Sequence, residues 1–268
     1  MRIFPHKGKA AAIILVLAMG IAGCAKVAPR AALAVEGKRT PEAAALEARL
    51  AKLKAATPTL KGLAWVALTT PEEDRRTEAA LVVERPDRIR IDAMDALADV
   101  WAEAGSDGKK LWLYLPGRQK LYEGRASPRT LRKLAGFDWE PAELVSIVAG
   151  LPPLGEAPEL LQVGAARERH FASKASGIHL WTDGAKGRVA RCIRFAPDGT
   201  AHDYEITFSD YHRERGVDFP RRIEAVFPVH EDRILVEYRD VRVGEPVDAD
   251  AFRSPSGRGA KTVKVRDE

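Results

Sequence analysis

From Leu60 onward, apolar positions recur at every second residue in short runs bounded by turn residues. The runs cover 60–69, 77–84, 87–93, 99–104, 110–115 and 119–123. This period predicts strands, and Ser106-Asp107-Gly108 and Pro116-Gly117 predict tight hairpins between them. Strands joined so briefly pair antiparallel, since parallel pairs need long crossovers. Upstream the period is helical: Thr40-Pro41-Glu42 opens a helix whose Leu46, Leu50 and Leu53 share one face, and Thr57-Pro58 ends it. Two more helices are predicted midway, over 127–136 (ending at Gly136) and over 140–150 (with Leu144, Ile147 and Val148 on one face and Gly150 as the C-terminal cap). Alternation resumes over 177–182, 188–195, 202–209, 221–228 and 233–241, with a turn at Pro197-Asp198-Gly199.

Several strands are apolar on both faces. In Leu111-Trp112-Leu113-Tyr114-Leu115 the leucines point one way and the aromatics the other, and Leu63-Ala64-Trp65-Val66-Ala67-Leu68 is similar. A sheet with one wet face should alternate cleanly. Both faces are therefore covered, as in a sandwich core, or one face lines an apolar interior. About eleven strands in one open sheet tend to curl. The expected fold is α+β: a half-open antiparallel barrel with an N-terminal helix and a two-helix lid.

The N-terminus changes the setting. Arg2, Lys7 and Lys9 precede the apolar stretch Ala10–Ile21, which is shorter than the roughly 20 residues needed to span a bilayer. That is the layout of a bacterial export signal. Ile21-Ala22-Gly23-Cys24 resembles the lipobox of bacterial lipoproteins, which implies acylation of Cys24 and cleavage of residues 1–23. Ala25, in place of the Asp that retains lipoproteins in the inner membrane, points to the outer membrane, on its periplasmic face. Residues 24–40 read as the lipidated end and a tether, 41–252 as the folded domain, and 253–268 as a disordered basic tail without aromatic residues.

Composition then narrows the classes. Losing the signal lowers the formal charge from +5 to +2, so basicity gives no reason to expect nucleic acid. Besides Cys24 only Cys192 is present, so no disulfide braces the domain, and 46% apolar residues must supply a core.

The order of elements and the lipobox resemble the LolB-type outer-membrane lipoprotein receptors and the wider family of LolA-like carriers. Two stretches carry the resemblance. Arg88-Ile89-Arg90-Ile91-Asp92-Ala93-Met94-Asp95-Ala96-Leu97-Ala98-Asp99 matches a strand entering an exposed loop with a protruding leucine; Glu143-Leu144-Val145-Ser146-Ile147-Val148-Ala149-Gly150-Leu151-Pro152 matches a helix ending in Gly-Leu-Pro. The family loop reads Asn-Pro-Leu-Gly, whereas this chain has Asp95-Ala96-Leu97-Ala98. The resemblance implies binding of acylated lipoproteins or lipid, delivery by a periplasmic carrier protein, a membrane-insertion role for Leu97, and no cofactor. The protein is expected to act as a monomer.

Candidate chemistry is sparse. Motifs for serine hydrolases, zinc peptidases and nucleotide binding are missing, so no enzyme, catalytic residue or metal is expected. The histidines at 170, 179, 202, 212 and 230 sit on separate elements, and Asp87, Asp92, Asp95 and Asp99 follow strand and loop spacing, as a solvated rim would. Cys192 reads as a small buried hydrophobe. Leu63, Trp65, Trp101, Leu111, Trp112, Leu113, Tyr114, Leu144, Ile147 and Val148 either line an acyl-chain cavity or fill an ordinary core. Leu97 either protrudes or tucks under its loop. A carrier, a lipid sensor of the same fold and a structural envelope lipoprotein all remain open at this stage.

Overall fold

A computed structural model of the protein describes residues 36–137, 139–156, 158–184, 186–195, 202–255 and 259–266. The export signal, Cys24 and the turn at Pro197-Asp198-Gly199 lie outside the described residues.

Helix α1 (Pro41–Ala56) starts where the Thr40 hydroxyl accepts from the Ala43 N–H at 3.2 Å. Six strands follow: β1 (Thr59–Thr70), β2 (Glu73–Glu84), β3 (Arg88–Met94), β4 (Val100–Asp107), β5 (Lys110–Leu115) and β6 (Lys120–Arg125). Helices α2 (Pro128–Ala135) and α3 (Pro141–Val148) come next. The chain then forms β7 (Leu160–Val163), β8 (His170–Ser173), β9 (Ile178–Thr182), β10 (Val189–Phe195), β11 (His202–Glu214), β12 (Val217–Phe227), β13 (Asp232–Val243) and β14 (Lys261–Lys264).

All described strands join one sheet in the order β14-β6-β5-β4-β3-β2-β1-β13-β12-β11-β10-β9-β8-β7. Every pairing is antiparallel except β14 with β6. Long hairpins place the β1–β2, β3–β4, β5–β6 and β12–β13 turns at one end of the sheet, called here the upper rim. Helix α1 crosses toward the lower end, burying Ala43, Leu46, Leu50 and Leu53. Helices α2 and α3 pack on the concave face, where Leu60, Ala64, Leu81, Val83 and Ile89 meet Leu131, Val145 and Val148 in one core.

All eleven expected strands are present, and three more occur. Strands β7, β8 and β14 are four residues each, too short for a period of two to stand out. The tail expected to be disordered is instead fastened: β14 lies beside β6, and the Lys264 ammonium meets Glu123 at 2.8 Å. The folded domain therefore runs past residue 252. The end of the expected tether is fastened too, since Lys38 and Gln162 exchange backbone hydrogen bonds of 3.0 and 2.8 Å.

Candidate functional site

The ten apolar candidates divide between the two faces of the sheet. Trp112 and Tyr114 point to the convex side with Leu121, where Ala260 packs on them and the Trp112 indole donates to the Phe252 carbonyl at 3.3 Å. Leu63 and Trp65 are also convex, and the Trp65 ring is covered by Arg76 at 4.9 Å and Arg239 at 6.0 Å. These four residues do not line the interior. Their strands are apolar on both sides because the C-terminal segment and a layer of arginines cover the outer face, a cover that the sequence pattern could not locate.

Leu111, Leu113 and Trp101 face inward, as do Leu144, Ile147 and Val148 from α3. A bulge opposite Ala93 and Met94 turns Trp101 to the concave side, where its indole donates to the Thr77 hydroxyl at 3.2 Å. The lower half of the concave face is filled. Val145 and Ala149 are fully buried there, and the Tyr238 hydroxyl donates to the Val148 carbonyl at 2.8 Å. The hollow expected beneath the middle helices is thus occupied by their own side chains. The upper half differs: Val66, Ile91, Trp101, Leu113, Tyr122 and Ile234 remain partly exposed and form an apolar band opening toward the upper rim.

Two hollows flank α1 at the lower end. One, of about 340 Å³, lies among Leu50, Lys54, Arg85, Ser146, Leu151 and Pro152. The other, of about 370 Å³, lies among Leu46, Leu53, Gly150, Val189, Tyr211 and Val217. Neither is lined by a residue of the uncovered band.

Helix α3 is anchored at its C-terminal end. Gly150 adopts φ +76°, its N–H donates to the Ile147 carbonyl at 2.9 Å, and the Leu151 N–H donates to Ser146 at 2.9 Å, a Schellman closure. At the other end Glu143 is ion-paired with Arg194 of β10. Trp139 packs there against Tyr204 and Phe227, with ring centroids at 5.6 and 5.1 Å.

The β3–β4 tip carries Leu97, 84% exposed. The Asp95 carboxylate accepts from the Leu97 N–H at 2.9 Å and the Asp99 N–H at 3.1 Å, while Ala98 takes a left-handed φ of +64° and donates to the Asp95 carbonyl at 3.0 Å. The turn is braced from within, and the leucine stands outside it. Val100 (38% exposed) and Val229 (70%) are the other exposed large hydrophobics among the described residues, and both also sit on the upper rim.

Of the remaining candidates, Cys192 is buried, which pushes its thiol pKa far above the ordinary value and leaves it protonated. Asp92 pairs with Arg90 at 2.9 Å. His170 and His179, separate in the sequence, meet across β8 and β9 with their Nε2 and Nδ1 atoms 2.8 Å apart, and His170 stacks on Trp181 at 4.2 Å. Only recognition of the short strand β8 would have revealed that pair. Burial, then the neighbouring ring, lowers the His170 pKa to about 4, and burial lowers that of His179.

No protein-family model matches this sequence, and no curated protein does. Solved structures do match. A DUF1329 family protein from Desulfovibrio piger superposes with a TM-score of 0.57 at 9% identity, covering 79% of this chain and 95% of that one. A domain from Vibrio parahaemolyticus assigned to outer membrane lipoprotein sorting gives 0.55 at 14% identity, over 78% and 97%. A LolA superfamily protein from Nitrosomonas europaea gives 0.54 at 11% identity, over 79% and 97%. At such identities the likeness concerns the fold, and the large open antiparallel sheet of this chain is LolA-like.

Proposed function

We propose that this protein is a lipid-anchored, non-enzymatic carrier that takes acylated lipoproteins from a periplasmic carrier protein and passes them into the outer membrane. Cys24 would bear the anchor, and two or more acyl chains there would hold firmly, at about 0.8 kcal/mol per buried methylene. The uncovered band from Val66 to Tyr122 shelters hydrocarbon, which binds by area removed from water and needs no polar partner. Helices α2 and α3 act as the lid, and lifting α3 would add Ile147, Val148 and Leu111 to the binding surface. Transfer runs down an affinity gradient and needs no cofactor.

One observation carries this reading: Leu97 projects into solvent from a turn whose backbone is already hydrogen-bonded internally, on the rim where the apolar band opens. A tip of that kind can enter a bilayer interface without stranding peptide groups. Pre-loaded protein should deliver a fluorescent lipoprotein to liposomes, and Leu97→Glu should abolish delivery while cargo binding persists. Delivery unchanged by Leu97→Glu refutes the insertion role.

The filled space under α3 favours one second reading, a structural envelope lipoprotein without ligand. Native mass spectrometry of protein purified from cells distinguishes the two: co-purified acylated mass supports the carrier, and its absence across preparations supports the structural role.

A further inference from the structure

Two buried polar atoms near the start of α3 have no hydrogen-bond partner among the described residues, the Trp139 indole Nε1 and the Tyr204 hydroxyl. Their side chains are only 2% and 1% exposed, and the rings meet edge to face with centroids 5.6 Å apart. Phe227 closes another side, 5.1 Å from Trp139 and 6.4 Å from Tyr204. Phe137, half-buried, stacks on Phe227 at 6.1 Å. The Arg194 guanidinium lies 5.1 Å over the Tyr204 ring and is engaged by Glu143.

A buried donor without a partner is costly, and native proteins rarely keep one without a use. Here an indole N–H and a phenolic O–H stand in one aromatic nest, and the carboxylate beside them, Glu143, is already taken up by Arg194. Among the described residues the nest therefore offers donors without an acceptor to match them. A chemical group that supplies an acceptor and tolerates aromatic walls is a carbonyl attached to hydrocarbon.

We propose that Trp139 and Tyr204 hydrogen-bond the ester or amide carbonyl at the head of an acyl ligand, with its chain leading past Phe137 along the concave face. The inference rests on the carrier reading and adds to it a preference for acyl over alkyl chains. The ligand enters as the N-terminal end of α3 moves off β11 and β12. Burial, reinforced by Glu143, raises the Tyr204 pKa well above its ordinary value, so the hydroxyl remains a donor at any physiological pH.

The test uses the full chain and two probes of equal chain length, a cysteinyl peptide bearing a diacylglyceryl group and its dialkyl ether counterpart, which lacks the ester carbonyls. Unmodified protein is expected to bind the ester about three- to tenfold more tightly, the range for a neutral hydrogen bond. Tyr204→Phe should erase most of that preference. In the ligand-free protein it should also raise Tm by about 2–4 °C, because an unpaired buried hydroxyl is removed. Trp139→Phe should reduce the preference as well, whatever its effect on Tm. Equal affinity of the unmodified protein for both probes overturns the proposal while leaving the carrier reading intact. So does a Tyr204→Phe variant that keeps the preference and melts lower, the behaviour of a hydroxyl already satisfied by water. Binding of neither probe overturns the carrier reading together with it.

Discussion

Replacing Gly150 by alanine tests how firmly α3 is pinned to the sheet. Gly150 has φ +76°, a region where an L-residue costs roughly 1–2 kcal/mol. A Cβ built there would lie 2.9 Å from both Phe219 Cε2 and Pro220 Cδ, and Phe219 is fully buried, so the ring has little room to retreat. Overpacking of that kind typically adds about 1–3 kcal/mol. Gly150→Ala should therefore cost about 2–5 kcal/mol in all, lowering Tm by roughly 4–20 °C for a domain of this size. Gly155 supplies an internal control, because its φ is +81° but nothing lies within 4 Å of its added Cβ. Gly155→Ala should show the backbone cost alone, about 1–2 kcal/mol. Thermal denaturation followed by circular dichroism reads both variants, and dye binding to apolar surface should rise in Gly150→Ala as α3 loosens. Equal losses in the two variants would refute the close approach of Gly150 to Phe219, and with it the fixed end of the lid.

Leu97→Ser should leave Tm within the effect of an ordinary surface change, because the side chain touches almost nothing, yet weaken vesicle binding about eight- to seventyfold; that range takes 84% of the transfer free energy of a leucine, and unchanged vesicle affinity refutes it. Truncation after residue 248 removes Phe252 and β14, uncovers Trp112, Tyr114 and Leu121, and should cost at least about 3 kcal/mol with a red shift in tryptophan emission; a stable, unshifted truncate contradicts the covered convex face. The lowered pKa values of His170 and His179 favour the neutral rings in the fold, so stability is held above about pH 6.5 and falls as pH drops toward 4. His170→Gln should flatten that fall in a Tm-against-pH series, and an unaltered slope rules out the pair as its source.

The strands were legible because each long hairpin repeats a period of two over enough residues to register, and α1 and α3 because their caps are written in residue types such as Thr40-Pro41 and Gly150. What escaped has a common cause. Strands of four residues, such as Leu160–Val163 and His170–Ser173, carry too few alternations to rise above loop sequence. Their partners are set by the sheet edge they extend, which no local pattern encodes. The histidine pair followed the same fate, since it exists only through β8. Four of the ten acyl-cavity candidates, Leu63, Trp65, Trp112 and Tyr114, fall on the convex face for another reason: Leu111-Trp112-Leu113-Tyr114-Leu115 does declare two covered faces, but it does not declare what covers each. Helix α2 and the core take the leucines, while Phe252 and Ala260 meet the aromatics.

The exposed leucine makes the complementary case, in which a lost motif leaves its geometry standing. The Asn-Pro-Leu-Gly turn of the resembling family would place its glycine where this chain has Ala98, and Ala98 still adopts the left-handed conformation at φ +64°. What permits this is Asp95, whose side chain and carbonyl together take the N–H groups of Leu97, Ala98 and Asp99. A carboxylate bridging two amides, with the turn closed by a third, can offset a backbone strain of roughly 1–2 kcal/mol at a non-glycine residue. It follows that the position of Leu97 depends on Asp95 more than on any residue beside it in a motif. Asp95→Ala should release the tip and weaken delivery to liposomes although Leu97 is untouched, and Ala98→Gly in that background should restore part of it by relieving the strain. Loss of delivery in Asp95→Ala without any rescue by Ala98→Gly would assign Asp95 a role other than bracing the turn.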